Sequence, residues 1–134
     1  MDTVVIDIQT GRQRAVVDLT DMIERFLRDK ASGLLSVFVP HATAGVALIE
    51  THSGTEADLL TAIDGLLPRE DIWQHRHGAR GHGADHVLPA FISPSMTVPV
   101  REGQMLLGTW QSVVLVDTNI DNPARQVRLS FLEG

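Results

Sequence analysis

SMTVPVREGQMLLGTWQ, residues 95–111, is the stretch whose reading decides the fold. Residues 96–100 and 104–110 both have strand composition, and Arg101, Glu102 and Gly103 leave room between them only for a short hairpin turn, so the two strands run antiparallel. Residues 112–118 and 126–132 continue in the same composition, which makes the C-terminal third β. Upstream, residues 85–92 allow one or two helical turns if Pro89 sits near a helix start, since a proline deeper in a helix breaks it.

Working further back, Ala57, Leu59, Leu60, Ile63, Leu66 and Leu67 recur as a helix closed by Pro68. Strands over 34–40 and 46–50 flank the small and polar turn His41-Ala42-Thr43-Ala44-Gly45. Leu19, Met22, Ile23, Phe26 and Leu27 fall at helical spacing, with Asp18 or Thr20 as N-cap, Lys30 in the last turn and Gly33 as terminator. Residues 3–9 alternate around Val4, Ile6 and Ile8, and Thr10-Gly11 reads as the turn of a hairpin into 12–17. Strand and helix do not alternate regularly enough for a doubly wound sheet. The expectation is a single α+β domain over 1–134, a mostly antiparallel sheet or sandwich packed against two helices.

Composition narrows the function. A chain of 134 residues with 43% hydrophobic and 21% charged side chains can bury a core without disulfides, and it has no cysteine, so any metal site must use His, Asp, Glu or water. A net charge of -6 argues against nonspecific nucleic-acid binding, although Arg76, Arg80, Arg125 and Arg128 leave a local basic pocket open. Apolar runs stop at five or six residues, and Asp2 and Asp7 stand where a signal peptide would be basic and then apolar. The expected location is the cytoplasm, with no membrane partner.

All six histidines fall between His41 and His86. His75 and His77 share a side if extended, and His82 and His86 share a helical face at i, i+4. Either spacing can chelate a divalent ion, and imidazole-only sites suit zinc, nickel or iron; a solvated loop over 74–83 is the alternative. His41 precedes Thr43 and Gly45, whose backbone N–H groups can face an anion, so it reads either as a general base or as a strand-end histidine bonded to a neighbouring carbonyl. Glu50 and Asp85 are either surface charges or carboxylates that orient a histidine. Near Gly108, Trp110 offers an apolar wall and Gln111 a donor and acceptor at a pocket mouth, while core packing explains Trp110 equally well.

The Leu107-Gly-Thr-Trp-Gln111 stretch, preceded by Ser95-x-Thr-Val-Pro99 and Gly103, together with the His41–Gly45 turn, resembles the YjbQ-like family, described as secondary thiamine-phosphate synthase enzymes. The resemblance covers nearly the whole chain and implies a small α+β homotrimer with pockets near subunit boundaries. Trp73-Gln-His75 matches the family's aromatic-x-His, and Asp85-His86 a pair before a short helix, which singles out His41, His75 and His86. Asp121-Asn-Pro-Ala-Arg125 resembles its Asp-Gly-Pro-Arg, making Arg125 the expected ligand of a phosphate or carboxylate. Ala42 and Pro89, the run Glu50-Thr-His-Ser-Gly-Thr55 and the loop His82-Gly-Ala84 depart from the pattern, and His52, His77 and His82 look like solvent-facing additions.

The implied function is an enzyme that couples a hydroxymethylpyrimidine diphosphate to a thiazole phosphate with loss of pyrophosphate. His41 and His86 would be catalytic; Thr43, Gly45, Trp110, Gln111 and Arg125 would bind a small phosphorylated or anionic substrate. His41, His75 and His86 would hold a divalent metal, zinc or magnesium. The alternative is a noncatalytic metal- or anion-binding trimer.

Overall fold

β7 (Ser112–Asp117) is the strand on which the fold turns. Val113 and Leu115 point into one core and Val114 and Val116 into another, all fully buried, which is why this segment reads as an unbroken apolar run rather than an alternation. The computed structural model describes residues 1–70 and 72–134. In it, β7 is the middle of a three-stranded sheet between β2 (Ala15–Asp18) and β4 (Ala44–Ile49). A five-stranded sheet runs in the order β1 (Asp2–Gln9), β8 (Ala124–Glu133), β3 (Gly33–Phe38), β5 (Ser95–Arg101), β6 (Gln104–Met105). Every pairing between described strands is antiparallel.

The main core lies between the sheets. Ile8, Leu35, Val37, Val127 and Leu129 from the larger sheet meet Val46, Val113 and Leu115 from the smaller one, and α1 (Thr20–Leu27) closes it with Ile23 and Leu27. On the far side of β7, α2 (Thr55–Leu66) and α3 (His82–Val87) cover Val114 and Val116 with Ile63, Leu67, Ala84 and Leu88. The chain is therefore an α+β domain, with helices on one face of the smaller sheet.

Several expectations change in the structure. The hairpin joining 3–9 to 12–17 does not form: β1 pairs with β8 and β2 with β7, and Thr10-Gly11 carries the chain from one sheet to the other, held by bonds from both amides to the Pro123 carbonyl. The strand expected over 104–110 ends at Met105, and Gln111 Oε1 accepts the Gly108 amide in a turn that leaves Trp110 72% exposed, so Trp110 is not core. α1 stops at Leu27, and Gly33 begins β3, where a β-carbon would run into the Leu132 carbonyl. The third helix, α3, starts at His82, earlier than the 85–92 expected, and Pro89 occupies the first turn of a 3₁₀ segment (Leu88–Ala90), a position that needs no amide donor. Glu102 and Gly103, both at positive φ, make the two-residue turn of the hairpin read from 95–111.

Candidate metal centre

The centre is built where α3 meets the loop before it. His82 and His86 lie one turn apart on α3, with their Nε2 atoms 3.0 Å from each other. The His75 ring stacks on His86 at 4.1 Å and lies 5.2 Å from His82. One ligating nitrogen from each of His75, His82 and His86 falls within 4.8 Å of the others, close enough for a single ion to bind all three. His77 packs against the outside of this group, 4.2 Å from His75 and 4.6 Å from His82 between ring centroids.

Local sequence explains how the loop reaches α3. The Trp73 indole donates to the Pro68 carbonyl at 2.9 Å, and Gly83 admits the Trp73 ring and the His75 carbonyl into space that a β-carbon would fill. The Ala79 amide donates to the Asp121 carboxylate. Asp85, buried on α3, accepts two bonds from Arg69, one from the Thr118 hydroxyl at 2.6 Å and one from the Asn119 amide. Its oxygens are fully used, so Asp85 anchors α3 to the segment after β7 and does not orient a histidine.

Asp121 does that. Its carboxylate sits 2.7 Å from His82 Nδ1 and can only accept, so Nδ1 carries the hydrogen and Nε2 is the ring nitrogen turned toward His86. The Ala79 amide and the His82 ring hold Asp121 below the usual carboxylate range, which keeps it ionised. Desolvation first, and then neighbouring imidazoles, lower the pKa values of His75 and His86 below 6.5. At neutral pH both rings are uncharged, the form that ligates metal.

His82 was expected to face solvent and is instead 7% exposed. The i, i+4 spacing with His86 was the signal that pointed to it. Asp121 and Asn119 carried no such signal, because their approach depends on where the segment after β7 lands.

The other expected site residues lie elsewhere. His41 follows β3, its Nε2 accepts the Gln126 amide at 2.9 Å, and it is not part of the three-histidine group. Burial and the Arg125 guanidinium lower its pKa. Arg125, 3% exposed, holds Asp117 through two bonds of 2.6 and 3.0 Å and donates to Thr43 Oγ1 at 2.7 Å, so its charge already serves a carboxylate of its own chain. Gly45 lies against the Ile92 carbonyl with no space for a side chain. Its closeness is a packing requirement. A cavity of about 270 Å³ opens beside His75 and His82, and none of Thr43, Gly45, Trp110, Gln111 or Arg125 lines it. Its walls include Arg69, Arg76 and Arg80.

The family model described as UPF0047 protein YjbQ-like matches residues 4–134. The UPF0047 protein Rv2556c of Mycobacterium tuberculosis is 61% identical over the full length of both chains. A UPF0047 protein of Methanothermobacter thermautotrophicus is 31% identical, covering 93% of this chain and 87% of that one. Among solved structures, a protein of Aeropyrum pernix superposes with a TM-score of 0.89 at 32% identity over all of both chains. A YbjQ-like protein of Sulfolobus solfataricus gives 0.91 at 28% identity, over 99% of this chain and 97% of that one.

Proposed function

From a chain that belongs to the UPF0047 family of YjbQ-like proteins, we propose a metal-dependent enzyme centred on His75, His82 and His86. One observation carries this reading: three imidazoles converge within 4.8 Å, and a carboxylate accepts from Nδ1 of the most buried ring. Three histidines with a fourth position open are the ligand set of a catalytic zinc site, whereas magnesium demands oxygen ligands that this group lacks. A divalent ion held by these three histidines would supply charge stabilisation for a departing oxyanion. The protein's own part is to keep His82 turned by Asp121, to hold His75 against α3 through the Trp73 anchor, and to open the cavity beside them.

Loss of pyrophosphate during thiamine-phosphate formation is a reaction of this class and the first to assay. The same three ligands also tie the 74–81 loop to α3, which favours a noncatalytic, metal-stabilised protein, trimeric as the family resemblance implies, as the second reading. Elemental analysis should find one zinc per chain in the wild type and in His41→Ala, and little in His82→Ala, with synthase turnover following zinc. Equal zinc in His82→Ala would overturn the centre; full zinc and a raised melting temperature without turnover on any phosphorylated substrate would favour the second reading. Because the pKa values of His75 and His86 are lowered, zinc should persist as pH falls past 6.5 and leave only below it, when the rings protonate.

A further inference from the structure

The end of β7 and the residues after it, Asp117-Thr118-Asn119-Ile120-Asp121, carry a chain of bonds from the interior to the histidines. Asp117, Thr118 and Asn119 are fully buried. Asp117 Oδ1 accepts the Asn119 amide at 2.9 Å, and Asn119 Oδ1 accepts the Asp121 amide at 3.0 Å, so each side chain closes a turn on the residue two positions on. These successive turns lead from the Arg125–Asp117 pair to the carboxylate that faces His82.

Asn119 is placed where the bonds meet. Its Oδ1 also accepts from Asn122 Nδ2 at 2.9 Å, which fixes the amide with Nδ2 turned toward α3. Nδ2 donates to Asp85 Oδ2 at 3.1 Å and lies 3.1 Å from His82 Nδ1. Because His82 Nδ1 gives its hydrogen to Asp121, Asn119 meets that nitrogen as a contact and not as a donor. From the loop side the pair is closed in by Gly78, where a β-carbon would come 2.6 Å from Asp121 Oδ2 and 2.7 Å from His82 Nδ1. A fully buried amide gains little net stability over an apolar side chain of its size; what it supplies is direction, since each bond fixes a partner.

We propose that Asn119 is a positioning residue for the metal centre, holding Asp121 against His82 and, through Asp85, α3 against both before any ion arrives. The Asp121 side chain is 31% exposed, so the turn closed by Asn119 is what keeps its carboxylate in place. This role rests on the proposed metal centre, and it gives that centre a connection to the buried Arg125–Asp117 pair.

The test measures zinc affinity of the full chain by competition with a chromogenic chelator, together with the visible absorption spectrum of the cobalt-loaded protein. Asn119→Ala should weaken zinc by about tenfold to a hundredfold, the usual effect of losing a group that orients a ligand, and should shift the cobalt bands. Asn119→Ser should recover part of the affinity, because a hydroxyl closes the same turn more weakly. Val37→Ala, in the main core, should lower the melting temperature and leave zinc affinity and the cobalt spectrum as in the wild type. Should Asn119→Ala fail to fold, Asn119→Ser carries the comparison and must still bind zinc several-fold more weakly than the wild type. Wild-type affinity and spectrum in the folded Asn119 variants, or an equal loss of zinc in Val37→Ala, overturns the positioning role and leaves the metal centre standing. A wild type that binds neither zinc nor cobalt removes the centre, and this role with it.

Discussion

Arg125 shows how one residue's role turns on its partner. As a residue type near a family motif it reads as an anion ligand, but Asp117, 0% exposed, already accepts from its Nε and one terminal nitrogen. Removing one member of a buried pair strands the other charge. Arg125→Ala should therefore cost about 3–5 kcal/mol in urea unfolding. Arg125→Met combined with Asp117→Leu should recover most of that loss, because an apolar pair leaves no charge stranded. A full-stability Arg125→Ala that only weakened substrate binding would return the residue to the site. His82 makes the converse point: its residue type and i, i+4 spacing were readable, but its burial and its tautomer depend on Asp121, 39 positions away.

At the scale of elements, composition predicted most strands and both long helices, and missed what only neighbours determine. β7 announced itself as apolar, yet nothing local says that its alternate residues serve two cores. β4 illustrates the same dependence. Gly45 pairs with Val116 of β7 while its α-carbon lies against the Ile92 carbonyl, so the segment that follows the 3₁₀ turn and the strand approach each other closely only because no side chain intervenes. Gly45→Ala should cost about 1–3 kcal/mol as the two backbones are forced apart, measured as a lowered melting temperature with β content retained by circular dichroism. An unchanged melting temperature would mean that the backbone at Ile92 yields freely. The strand expected over 104–110 fails for a related reason: its apolar residues suit a strand, but the β5 register sets Pro99 opposite Leu106, and beyond the Leu106 amide's bond to its carbonyl the proline has no amide to continue the ladder.

For the whole molecule, the proposed trimer has a physical motive in the outward face of the larger sheet. Leu34 and Leu132 are opposite each other in register and Leu34 is also opposite Pro99, and both leucines are about half exposed, at 48% and 57%. Sedimentation equilibrium should give three times the chain mass, and Leu34→Glu with Leu132→Glu should reduce it; a monomer in the wild type would remove the trimer. The sequence by itself determined the class of the fold, the antiparallel hairpin at 95–111 and the stretch of chain where histidine chemistry lies, because periodicity, turn residues and composition act over a few neighbours. Only the tertiary structure decided that Thr10-Gly11 crosses between sheets, that Arg125 is buried against Asp117, and that His82 rather than His41 joins His75 and His86. Those outcomes follow from strand pairing and core packing between distant segments, which no local pattern encodes.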